Sequence, residues 1–85
     1  MTTEIQLTLI GKPGCHLCDD AEVVIQEVLS EFEGSVALAK ENILEDDELF
    51  ARYSEEIPVL LINGQVHNYW RIDPVRFREA LEKLN

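Results

Sequence analysis

Polar and apolar positions alternate from about Glu4 to Ile10, with Ile5, Leu7 and Leu9 on one side and Gln6, Thr8 and Ile10 on the other. A period of two with one strongly apolar face predicts a strand, and Gly11 ends it. After the loop Lys12-Pro13-Gly14 the period changes. Ala21, Val24, Ile25, Val28, Leu29 and Phe32 fall at helical spacing and predict a helix over about Asp19 to Glu33, with Glu22, Gln26, Glu27 and Glu31 on its polar face. Gly34 and Ser35 stop it. A second strand is expected at Val36 to Ala39. Beyond Asn42, the run Glu45-Asp46-Asp47-Glu48 reads as the solvated first turn of a short helix reaching Tyr53, because carboxylates favour the positive end of a helix dipole. Val59-Leu60-Leu61-Ile62 is a compact apolar run bounded by Pro58 and by Asn63-Gly64, a dipeptide suited to a two-residue hairpin. It predicts a buried strand with a hairpin partner from Gln65 to Tyr69. Asp73-Pro74 then supplies an N-cap and a first-turn proline for a last helix whose Phe77, Leu81 and Leu84 are expected to face the core.

The element order is therefore β-α-β-α-β-β-α, an α/β fold. Strands one and two, joined through a long helix, should run parallel, and strands three and four should form an antiparallel hairpin. A mixed four-stranded sheet flanked by helices follows. With 85 residues, 46% of them apolar, there is room for one small domain and one core, so residues 1–85 are taken as a single domain. There is no internal repeat, linker or low-complexity segment.

Charge narrows the partners. Seventeen Asp and Glu against seven Lys and Arg leave a net charge of −10, which argues against nucleic acid and anionic membranes, since phosphate binding needs clustered cations. The longest stretch free of polar residues, Ile57 to Ile62, is far below the roughly 20 residues of a membrane helix. Met1-Thr2-Thr3-Glu4 shows neither a basic n-region nor an apolar h-region, so no secretory signal is read and the cytoplasm, where thiols stay reduced, is the expected compartment.

Candidate chemistry centres on Cys15 and Cys18, a Cys-x-x-Cys pair between the end of a core strand and the start of an amphipathic helix. A bridge closing so short a loop adds little as a staple. The placement puts Cys15 at about the N-cap and Cys18 in the first turn, where unpaired N–H groups and the helix dipole favour a thiolate. Cys15, the more exposed, is the expected nucleophile. Cys18, deeper and beside the buried face, is placed to attack a mixed disulfide and release the product. Asp19 and Asp20, in the same first turn, oppose thiolate formation. His16 is read either as a charge partner of Cys15 or as an exposed helix-start residue. The alternatives for the pair are a buried structural thiol pair or half a metal site, but zinc wants four ligands and only His16 and His67 remain to add. No metal site is assigned.

Lys12-Pro13-Gly14-Cys15-His16-Leu17-Cys18 after a strand, followed by Ile57-Pro58-Val59 and Asn63-Gly64, resembles a glutaredoxin, and more closely the small bacterial glutaredoxin-like proteins of the thioredoxin superfamily. The resemblance spans nearly the whole chain in element order. It implies a thioredoxin-like fold, a thiol–disulfide oxidoreductase role for Cys15 and Cys18, and a cis peptide before Pro58. It further implies that Ile57 offers its backbone to a bound thiol substrate, and that Lys12 stabilises a thiolate or contacts a glutathione carboxylate. Two departures stand out. His16-Leu17 replaces the usual Pro-Tyr, and Asn68-Tyr69-Trp70 stands where glutaredoxins carry a Gly-Gly stretch that receives glutathione. Arg71 is a candidate for a carboxylate contact by another route.

The resulting expectation is an enzyme needing no cofactor, acting as a monomer on a protein disulfide or a glutathione mixed disulfide, with glutathione a candidate but weak reductant. From a different class comes a carrier or interaction module, holding an iron–sulfur cluster shared between two subunits or a partner in a groove. A visible cluster band in protein purified without oxygen separates the two.

Overall fold

The computed structural model describes residues 4–84, so the reading of Met1-Thr2-Thr3 as free of a leader lies outside the described residues. The elements follow the expected order: β1 Ile5–Gly11, α1 His16–Glu31, β2 Val36–Asn42, α2 Asp47–Tyr53, β3 Val59–Ile62, β4 Gln65–Tyr69 and α3 Pro74–Leu84, with a 3-10 turn at Ile43–Glu45 before α2. The sheet order is β2-β1-β3-β4. β1 and β2 pair in parallel from Ile5 opposite Val36 to Gly11 opposite Asn42. β3 runs antiparallel to β1, with Leu7 opposite Ile62 and Ile10 opposite Val59. β4 closes the hairpin, with an irregularity between Leu60 and Leu61.

Local chemistry explains the boundaries. Asn63 and Gly64 both have positive φ, 51° and 82°, the pairing that a tight hairpin of right-handed twist requires. Asn63 also holds the turn to β1, since its N–H donates to the Gln6 carbonyl at 2.7 Å and its Oδ1 accepts the Gln6 N–H at 2.9 Å. The acidic run divides more finely than its charge suggests. Glu45 closes the 3-10 turn, and Asp46 caps α2 by accepting the N–H groups of Glu48 and Leu49. Asp73 caps α3 in the same way, through Val75 and Arg76.

Two cores lie on opposite faces of the sheet. α1 and α3 cover one face, where Ile5, Leu7, Leu9, Leu60 and Ile62 meet Ala21, Ile25, Val28, Phe77 and Leu81. A smaller cluster on the other face joins Ile10, Ile43, Tyr53, Val59, Ile57 and Cys18. β1 is thus buried on both faces towards its C-terminal end, where Leu9, Ile10 and Gly11 are all buried, a departure from a strand with a single apolar face.

Three expectations need correction. Leu84 does not face the core: it is 47% exposed, because the stripe that reaches the sheet is completed by Ala80 and Leu81 before the helix ends. α1 begins at His16 and stops at Glu31, with Phe32 as a non-helical cap that still packs against the large core. β2 extends to Asn42, well past Ala39, because pairing with the full length of β1 carries it there.

Candidate functional site

β1 delivers the chain to the site at Gly11, and α1 starts at His16, after four intervening residues. Cys15 is the N-cap of α1: its backbone is extended, and its Sγ accepts the N–H of Cys18 at 3.2 Å. One of the helix's orphan donors is therefore satisfied by sulfur. Cys15 is half-buried and Cys18 is buried, and both are free thiols. The difference follows from position, since Cys18 stands one turn further along on the face that packs against Ile10 and Tyr53.

Gly11 makes that packing possible. A Cβ at this position would lie 2.8 Å from the Cys18 Sγ and 3.2 Å from its Cβ, so only glycine lets the strand pass so close to the thiol. Burial pushes the Cys18 pKa up to about 11, helped by its hydrogen bond with Cys15 and by the charges of Cys15 and Asp19, and opposed by a main-chain hydrogen bond from Lys12. Its surroundings thus favour the protonated thiol.

The Ile57–Pro58 peptide bond is cis, and both residues are buried. Ile57 packs in the same cluster as Cys18, with Cys15 at its margin, so the turn and the dithiol share one wall of side chains. Among the described residues, neither the N–H nor the C=O of Ile57 meets a hydrogen-bond partner. Trp70 braces the turn by donating its N–H to the Pro58 carbonyl at 2.7 Å.

The cations fall on two sides. Lys12 is exposed and lines a cleft of about 360 Å³ with Gly11, Cys18, Asp19, Glu22 and Lys40, across which Lys40 pairs with Glu22 at 3.0 Å. Arg71 lines a separate cleft of about 180 Å³ with Leu17, Asp20, Ala21 and Ile72. Lys12 and Arg71 therefore flank the cysteine loop and do not converge in one pocket. His16 is exposed at the helix start. His67 belongs elsewhere: its ring packs 6.3 Å from Phe77, its Nε2 is buried without a hydrogen-bond partner, and burial followed by the nearby Arg76 lowers its pKa. Among the described residues, no three His, Cys, Asp or Glu side chains gather as metal ligands, and no helix is long and apolar enough to cross a membrane.

Sequence reasoning missed Gly11, Lys40 and the backbone of Trp70. Gly11 carried a weak signal, as a glycine at a strand end beside the cysteine loop; Lys40 carried none, since its place on the cleft that Cys18 lines comes from strand pairing.

A mixed sheet of order β2-β1-β3-β4, a Cys-x-x-Cys pair opening α1 and a cis proline opening β3 define a thioredoxin-like fold carrying a dithiol. Within that class the chain belongs to the glutaredoxin-like domain family (DUF836), whose model matches residues 6–82. It is similar to an uncharacterized protein of Mycobacterium tuberculosis, 29% identical over an alignment of 85 positions that covers 92% of this chain and 84% of that one. The X-ray structure of a structural-genomics target protein from X. campestris superposes with a TM-score of 0.75 at 29% identity, over 93% of this chain and 99% of that one. The solution structure of a Nitrosomonas europaea protein, 20% identical and covering 94% of each chain, shares the fold with a TM-score of 0.78.

Proposed function

We propose that this protein is a thiol–disulfide oxidoreductase in which Cys15 is the nucleophile and Cys18 the resolving thiol. The observation that carries the reading is the asymmetry of the pair: a half-buried cysteine on the N-cap, its sulfur facing the Cys18 N–H at 3.2 Å, and a buried thiol one turn behind it.

The Cys15 thiolate attacks one sulfur of a substrate disulfide, forming a mixed disulfide and expelling the other sulfur as a thiolate. Cys18 then gives up its proton, and its sulfur attacks the Cys15 sulfur, forming the Cys15–Cys18 disulfide and releasing the second thiol. Two electrons pass from the dithiol to the substrate, and no cofactor takes part. The mixed disulfide removes the Cys15 charge and its hydrogen bond, two of the influences that keep the Cys18 proton in place, so resolution is eased when it is needed. Ile57 supplies main-chain groups to pair with an extended substrate, while Lys12 and Arg71 offer cations to its carboxylates on either side. A thiol donor returns the pair to the dithiol, which suits a reducing compartment such as the cytoplasm.

Cys15→Ser is expected to abolish reaction with a disulfide probe while the fold is retained. Cys18→Ser is expected to accumulate a mixed disulfide on Cys15, visible by mass spectrometry as an adduct reversed by reductant. Faster alkylation of Cys18 than of Cys15 in the unaltered protein contradicts the assignment.

A further inference from the structure

Trp70 combines features that the dithiol chemistry does not require. Its backbone lies in the left-handed region at φ 61°, a conformation that glycine takes freely and bulky residues rarely adopt. Two hydrogen bonds hold it there, from its N–H to the Pro58 carbonyl at 2.7 Å and from its indole Nε1–H to the Glu55 carbonyl at 3.2 Å. Yet the ring is not used to fill the core. Trp70 is 55% exposed, beside Tyr69, itself 41% exposed, whose ring centre lies 6.4 Å away. Burial is the ordinary use of tryptophan, so a strained backbone that keeps a large aromatic in solvent marks a functional position.

Its surroundings say which function. Glu55 and Pro58, the two anchors of Trp70, flank Ile57, whose main chain is free to pair and whose side chain shares a cluster with the cysteines. The next residue, Arg71, shares a cleft with Leu17, which stands between Cys15 and Cys18. Trp70 thus lies at the border between the main chain open to a substrate and the surface beside the nucleophile.

We propose that Trp70 is the specificity-determining residue of the dithiol site, selecting disulfides carried on an extended polypeptide and disfavouring the mixed disulfide of glutathione. The proposal rests on the redox reading above. An extended segment paired with the Ile57 main chain lays the side chain next to its own cysteine across the indole. Glutathione presents no apolar side chain there, only a γ-linked glutamate and a glycine carboxylate, and it meets a chain of net charge −10. With either substrate the dithiol supplies both electrons: the substrate S–S bond breaks, the Cys15–Cys18 bond forms, and two thiols leave. A single turnover of reduced protein therefore needs no added reductant.

The test follows one turnover of the reduced protein with three oxidants: the disulfide of a short peptide bearing Phe next to Cys, glutathione disulfide, and hydroxyethyl disulfide. The unaltered protein should prefer the peptide to glutathione disulfide. Trp70→Gly and Trp70→Asn, which both tolerate positive φ, should lower that rate ratio by about tenfold, the scale of a lost aromatic contact, while each still reduces hydroxyethyl disulfide. Trp70→Phe should preserve the preference. An unmoved ratio in both the Gly and Asn variants, with hydroxyethyl disulfide reduced normally, overturns the role of Trp70 and leaves the redox reading standing. Failure of the unaltered dithiol to reduce any of the three overturns both.

Discussion

On one face of the sheet, α1 and α3 bury an aliphatic layer closed by Phe77, and every side chain in it is apolar. On the other face a smaller cluster around Ile10, Ile43, Tyr53 and Val59 takes in Cys18 and Ile57 and has Cys15 at its margin. The first holds the domain together and carries no reactive group. The second holds the sulfurs, the cis peptide bond and the tight approach at Gly11. Stability and chemistry are thus divided between the two faces of β1, whose alternation feeds one and whose C-terminal end feeds the other. A small domain has little stability to spare, on the order of 5–15 kcal/mol in all, so placing the constrained features away from the main core keeps each tolerable.

The sharpest way to break this division is Phe77→Ala. Phe77 is fully buried at the centre of the large core, and its truncation should cost about 3–5 kcal/mol, read as a large drop in the thermal or denaturant midpoint. The rate at which Cys15 reacts, per folded molecule, should not change. A slowed Cys15 in the folded fraction shows that the two faces are coupled.

Gly11→Ala probes the second face from within. The added methyl meets the Cys18 sulfur at 2.8 Å, and overpacking of this kind costs about 1–3 kcal/mol. Because the thiol must shift, mixed disulfide should accumulate during turnover as it does for Cys18→Ser, though to a lesser degree. An unaltered midpoint together with normal resolution contradicts the close approach.

The smallest effect is on pH. The Cys18 pKa rises from 9.0 to about 11 in the folded chain, chiefly through burial. Between those values the folded state holds a proton that the unfolded state has released, so this contribution to stability is complete below about pH 9 and is lost as pH rises through 11. Cys18→Ala should flatten the alkaline limb of the stability curve, whereas Phe77→Ala should lower the whole curve without changing that limb. An alkaline slope that survives Cys18→Ala assigns the titration to another group.

Much was legible in the chain because it is written locally. Hydrophobic period gave β1, α1 and β3 their type, Asn63-Gly64 placed the hairpin, Asp73-Pro74 opened α3, and the Cys15–Cys18 spacing put a dithiol at a strand-to-helix junction. These features depend on residues within a turn or two of one another, and backbone geometry and side-chain chemistry act at that range. Long-range pairing decided the rest. Lys40 reaches the Cys18 cleft only because β2 pairs beside β1, Lys12 and Arg71 part because α1 rises between their clefts, and Leu84 is left in solvent because Ala80 and Leu81 already complete the stripe that meets the core. Trp70 is the clearest case: its left-handed backbone arises where the chain leaves β4 while bonded to Pro58 and Glu55, residues brought there by the fold. The sequence by itself determined what each segment is and where the thiols stand. Only the tertiary structure decided which charges and which aromatic surround them, because those neighbours are set by strand order and packing across distances that no local pattern records.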